Sequence, residues 1–139
     1  MLTTPIRNEI SQPTILLAED DDVLREFVTE FLERDGYHVV SFSDGLALAA
    51  WFLENENCLE NVVLVCDIYM PGASAFDLYE RYPNTMMHLP AILITGFGTE
   101  SLHDRAVALG ASAVIDKPFD MRMLKEAILN AGEKLTGGN

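Results

Sequence analysis

The chain has 139 residues, 49% of them hydrophobic and 22% charged, which is enough apolar material for one folded domain with a core. Its 22 acidic residues against 9 basic ones give a net charge of −13, which disfavours direct binding to nucleic acid or an anionic membrane, since both need basic patches. Two cysteines, Cys58 and Cys66, do not make a disulfide scaffold, and the three histidines are not spaced to complete a zinc site with them.

Residues 1–12 are polar and aperiodic, with Pro5 among them, and read as a flexible tail. Thr14 to Ala18 is a short apolar strand. Asp22 to Arg34 places Val23, Leu24, Phe27, Val28, Phe31 and Leu32 at helical spacing, and Asp35-Gly36 ends that helix. Tyr37 to Phe42 is the second strand. A helix capped by Ser43 or Asp44 runs to about Asn55 and carries Leu48, Trp51 and Phe52. Val62 to Cys66 is apolar throughout, as expected of a central strand buried on both faces, and Pro71-Gly72 stops the run. Cys66, inside it, is expected to act as a small buried hydrophobe. A helix from about Ser74 to Tyr82 follows, then a strand from Ala91 to Thr95 introduced by Pro90. Thr99 to Leu109 is helical and stops at Gly110; Ala113 to Asp116 is the fifth strand; Phe119 to Lys134 is the last helix. The folded domain is expected over 13–135, with 136–139 a flexible end. The N-terminus shows no signal-peptide core, and no apolar run reaches the roughly 20 residues of a membrane span, so a cytoplasmic setting is expected.

Five strand–helix units predict an α/β fold: a doubly wound (βα)5 three-layer sandwich around a parallel five-stranded sheet, with right-handed crossovers. Handedness alone leaves several strand orders open. The flavodoxin-like order 2-1-3-4-5 sets strands one and three side by side at the switch point, which makes Asp20 and Asp67 neighbours. The motifs themselves favour that order.

The chemistry gathers at the strand ends. A helix N-terminus after a first strand usually attracts anions, and nucleotide-binding folds put glycines there. This chain puts Glu19-Asp20-Asp21-Asp22 there, which repels a bare phosphate and attracts a hard cation. Taken alone, the loop reads first as helix capping, and Asp21 and Asp22 are accounted for by that. Asp67 by itself is only a strand-ending aspartate, Thr95 a β-branched residue and Lys117, before Pro118, a solvated lysine. Together they make a site. Asp20, Asp67 and a backbone carbonyl just after Asp67 suit octahedral Mg²⁺, which keeps several waters, and Glu19 can act through water. Asp67 is then the nucleophile for an incoming phosphoryl group, with the Thr95 hydroxyl and the Lys117 ammonium as its partners.

The segments Ile15-Leu16-Leu17-Ala18-Glu19-Asp20-Asp21, Asp67-Ile68-Tyr69-Met70-Pro71-Gly72, Leu93-Ile94-Thr95-Gly96, Gly110-Ala111 and Lys117-Pro118-Phe119 resemble the receiver domain of two-component response regulators in order and spacing. The resemblance covers Thr14 to about Leu135. It implies that Asp67 accepts phosphate from a sensor histidine kinase or histidine phosphotransfer protein. It makes Glu19 and Asp20 the acidic pair and has Tyr69 offer its backbone carbonyl to Mg²⁺. Thr95 becomes the switch hydroxyl, and the Lys117–Pro118 bond is expected to be cis. The readout surface becomes the helix from Thr99, strand five and the last helix. The output goes to a downstream protein or fused domain, or to a phosphorylation-dependent homodimer. Such a chain is a phosphorelay component, not an enzyme with a separate substrate.

Three positions depart from the family pattern. Val114 stands where many receivers carry Phe or Tyr, so no ring follows the threonine inward, and altered coupling is expected. Ala75 replaces a usual glycine. Tyr69 and Phe97, at variable positions lining the phosphate site, are bulky enough to hinder water and slow loss of the phosphate. Other classes fit less well. A haloacid dehalogenase-type phosphatase needs a second acid where Tyr69 stands. A pseudo-receiver that never takes phosphate is opposed by the intact Glu19, Asp20, Asp67, Thr95 and Lys117. A flavin or nucleotide site lacks its glycines, and Ser101, His103 and Asp104 lie too close along one helix for a hydrolase triad.

Overall fold

A computed structural model describes residues 12–57 and 59–137. The elements are β1 (Thr14–Ala18), α1 (Asp22–Arg34), β2 (His38–Phe42), α2 (Gly45–Glu54), β3 (Val62–Asp67), α3 (Ala75–Arg81), α4 (Pro83–Met87), β4 (Ala91–Thr95), α5 (Glu100–Leu109), β5 (Ala113–Asp116) and α6 (Met121–Gly137). The five strands form one parallel sheet in the order β2-β1-β3-β4-β5, as expected.

Side-chain alternation along β3 divides the core in two. Val62, Leu64 and Cys66 face one layer, with Leu48 and Phe52 of α2, Leu78 and Tyr79 of α3, Met86 of α4 and Ala106 of α5. Val63 and Val65 face the other, with Val28 and Leu32 of α1 and Leu124, Ile128 and Ala131 of α6. Every residue of β3 is buried, because helices cover both faces of a parallel sheet. Burying a side chain such as Leu48 or Ile128 stabilises by about 1.5–3 kcal/mol.

Several boundaries move for local reasons. Tyr37 lies between α1 and β2: its N–H donates back to the Leu32 carbonyl, and β2 starts at His38. β3 extends through Asp67. Asp120 precedes α6 and accepts from the Arg122 N–H at 2.8 Å, so the helix begins at Met121, not Phe119. α6 continues to Gly137, beyond Lys134, into the expected loose end. The short α4 was not anticipated; Pro83 opens it and Met86 anchors it in the core. The expected N-terminal tail lies outside the described residues except for Gln12, as do Cys58, Gly138 and Asn139.

Two helix starts shape the loop after β3. Ser74 and Asp77 form a reciprocal capping box at α3. At α2, the Gly45 N–H donates to the Pro71 carbonyl at 3.0 Å, which ties that loop to the helix. A Cβ on Gly45 would lie 2.1 Å from the Ala73 carbonyl oxygen, so glycine permits this close approach.

Candidate functional site

Strand register sets the site. Ala18 pairs with Cys66, so Glu19 and Asp67 leave neighbouring strands at one height. Asp67 pairs with Ile94 and Thr95 with Asp116, which brings the end of β4 and the residue after β5 to the same edge. Glu19, Asp67 and Thr95 are the buried polar or charged residues of the described chain. Burying polar side chains is costly unless they are paired, so their collection at one edge marks a built site.

The Lys117 ammonium holds the two carboxylates together. Its Nζ lies 3.0 Å from Glu19 Oε1 and 3.2 Å from Asp67 Oδ1, and it donates to Asp67 Oδ2 at 3.3 Å. Lys117 is followed by a cis peptide bond to Pro118, as expected. Glu19 is fixed at every polar atom. Oε2 accepts from the Asp21 N–H at 2.9 Å, its carbonyl accepts from Arg25 Nη1 at 2.9 Å, and its own N–H donates to the Phe42 carbonyl at 3.1 Å. Asp67 Oδ1, by contrast, accepts no hydrogen bond and has only the Lys117 ion pair. Burial pushes the Asp67 carboxyl up to about 8; Glu19 adds to the rise and Lys117 only partly offsets it. Desolvation would lower Lys117, but its bonds to and attraction by Glu19 and Asp67 outweigh it, so its pKa lies above the ordinary lysine value.

Glu19, Asp20 and Asp67 can each offer a carboxylate oxygen within 4.8 Å of the others. Asp20 is exposed while the other two are buried, which leaves the cluster open to solvent on one side. Hard oxygen donors, a half-satisfied buried oxygen on Asp67 and an unfavourable accumulation of negative charge suit a divalent cation such as Mg²⁺. Since Lys117 and the Asp21 N–H occupy both carboxylate oxygens of Glu19, Asp20 and Asp67 are the more available ligands. Asp21 is the N-cap of α1, accepting from the Val23 and Leu24 N–H groups at 3.0 and 3.1 Å. Asp22 pairs with Arg25. Capping and pairing thus account for both.

Thr95 Oγ1 accepts from the Phe97 N–H at 3.0 Å, which leaves its own proton available to donate. Tyr69 and Phe97 are 54% and 80% exposed, so both rings project at the rim. The Tyr69 ring meets Phe76 edge-on at 6.3 Å. Val114 is half-buried against the core layer on the α2–α5 side of the sheet.

Two contributors escaped the sequence reading. Arg25 clamps the β1–α1 loop, and its spacing of three from Asp22 was the available signal. His103, set aside with Ser101 and Asp104, meets Asp116 across 2.9 Å, its Nε2–H donating to the carboxylate Oδ1. Thirteen residues separate that pair, and no local pattern announces it. Gly98 makes room for it: a Cβ there would lie 1.8 Å from Asp116 Oδ1.

Residues 15–129 match the family model of the response regulator receiver domain. The response regulator receiver protein CpdR of Brucella abortus is 35% identical over 114 residues, which cover 82% of this chain and 92% of that protein. The transcriptional regulatory protein FixJ of Azorhizobium caulinodans is 34% identical over 102 residues, 73% of this chain and 46% of that protein. The chain therefore spans nearly all of one relative and under half of the other. The crystal structure of a response regulator receiver domain protein from Clostridium thermocellum superposes with a TM-score of 0.78 at 28% identity, over 88% of this chain and 95% of that one.

Proposed function

Because the chain belongs to the family of response regulator receiver domains, we propose that it takes a phosphoryl group onto Asp67 from a sensor histidine kinase or a histidine phosphotransfer protein. The observation that carries this reading is the convergence of Glu19, Asp67, Thr95 and Lys117 at one sheet edge, with Asp20 at its mouth.

An Asp67 carboxylate oxygen attacks phosphorus in line; the O–P bond forms as the bond from phosphorus to the donor's imidazole nitrogen breaks, and that nitrogen leaves with the electron pair. Lys117 neutralises charge on Asp67 and then on the phosphoryl oxygens. The Thr95 hydroxyl donates to the same group. Mg²⁺, held by Asp20, Asp67 and the Tyr69 backbone carbonyl with Glu19 supporting, would supply the positive charge that polarises the phosphoryl group. Water reverses the modification, and the exposed rings of Tyr69 and Phe97 restrict its approach.

The output goes to a downstream protein or fused domain, or to a homodimer of phosphorylated copies. The net charge of −13 argues against direct nucleic-acid binding by this chain. It acts on its own aspartate rather than turning over a separate substrate. Among the described residues no helix is long and apolar enough to cross a membrane.

Intact mass after incubation with acetyl phosphate tests the reading. One phosphoryl group is expected with Mg²⁺, none with EDTA and none in Asp67→Asn. A correctly folded wild-type chain that gains nothing would make it a constitutive interaction module instead.

A further inference from the structure

α5 is lightly anchored. Ala106 is its one buried residue and Leu102 packs half-buried against the core, while Val107 and Leu109 are exposed. An element with so little apolar burial depends on its side-chain contacts for its position. Two of these lead to the phosphoacceptor site. The Arg105 guanidinium lies 4.0 Å from the centroid of the Phe76 ring, and the edge of Phe76 meets Tyr69, two residues after Asp67. On the other side, His103 bonds Asp116, which immediately precedes Lys117.

We infer that α5 is latched to the loaded site by these two contacts, Arg105–Phe76–Tyr69 and His103–Asp116, and that they transmit phosphorylation in this chain. Val114 offers no ring to move, whereas both latches touch residues within two positions of Asp67 or Lys117. Arg105 and Tyr69 are exposed, so each has room for a second arrangement, while Phe76 is buried and fixed between them. A change in the Asp67–Tyr69 loop alters the face that Tyr69 offers Phe76, and with it the seat of Arg105. Occupancy and helix position then bias each other, as reciprocal linkage requires. Arg105 and Phe76 are positioning residues in this scheme, since neither touches the phosphoryl group.

The inference rests on Asp67 accepting phosphate, and the experiment separates the two. Amide chemical shifts of Ala106 and Val107 are followed with acetyl phosphate and Mg²⁺, while intact mass reports modification in the same samples. Wild type is expected to show both the mass gain and the α5 shift. Arg105→Ala, at an exposed position that leaves the core intact, is expected to keep the mass gain and lose at least half of the shift. Arg105→Lys, which preserves a cation over the ring, is expected to restore it. The Mg²⁺ affinity of Arg105→Ala should change by about two- to five-fold, the size set by a partly exposed cation–π contact. Phe76→Leu is expected to resemble Arg105→Ala. An unchanged α5 shift in Arg105→Ala and Phe76→Leu, or no α5 shift in phosphorylated wild type, overturns the inference alone. Absence of the mass gain in wild type overturns the underlying reading.

Discussion

At Asp67, burial and a second carboxylate oppose ionisation, and one lysine does not fully compensate. The native carboxyl, at about 8, lies above the value of about 3.9 expected in an unfolded chain. Between those values the unfolded chain has lost a proton that the native state keeps, so stability falls as pH rises and the penalty is complete above about 8. Asp67→Asn removes this term. In urea unfolding without divalent ions, the mutant is expected to gain on wild type from pH 6 to pH 9, and a gap that shrinks over that range would contradict the assignment. A cation must displace the same proton. Calorimetric Mg²⁺ affinity should therefore climb by up to about tenfold per pH unit and level off above about 8.

The β3–α3 loop is set by the helix beside it as much as by its own turn residues. Gly45 opens α2, and helix propensity alone would favour alanine there by about 1 kcal/mol. A Cβ only 2.1 Å from the Ala73 oxygen reverses the sign, because the loop or the helix has to move. Gly45→Ala is expected to destabilise by about 1–3 kcal/mol in urea unfolding, the range for overpacking. It should also slow phosphorylation of Asp67, since the Gly45 N–H bond to Pro71 holds the loop. A stabilised variant with unchanged rate would show that the contact does not constrain the site. α4 teaches the complementary lesson. Five residues are too few to reveal a period, and Met86 forms a helix there because a pocket of the core accepts it.

Over the whole molecule, a charge of −13 produces self-repulsion that the fold must overcome. Monovalent salt is expected to raise the thermal midpoint by screening, while Mg²⁺ at equal ionic strength should raise it further through the Glu19–Asp20–Asp67 cluster. Asp67→Asn should keep the first effect and lose most of the second. Equal responses of mutant and wild type to Mg²⁺ would mean that the ion acts only on the general charge. The doubly wound sheet makes this concentration of charge tolerable. It places Glu19, Asp20 and Asp67 at one edge, where Lys117 and solvent are both within reach.

Periodicity determined the elements other than the short α4, because burial on two faces demands continuous apolar runs such as Val62 to Cys66 and burial on one face demands helical spacing such as Val28 and Leu32. The residues of the site were legible because each ends a strand or follows just after one, and strand ends share one edge in a parallel sheet. Tertiary structure alone decided how they engage: that Lys117 bridges Glu19 and Asp67, that every polar atom of Glu19 is occupied, and that Arg105 reaches Phe76 while His103 reaches Asp116. Apart from the Asp21 and Arg25 bonds to Glu19, those contacts join residues that are far apart along the chain. A one-dimensional pattern records which faces are buried, but not which side chains meet across the layers they form.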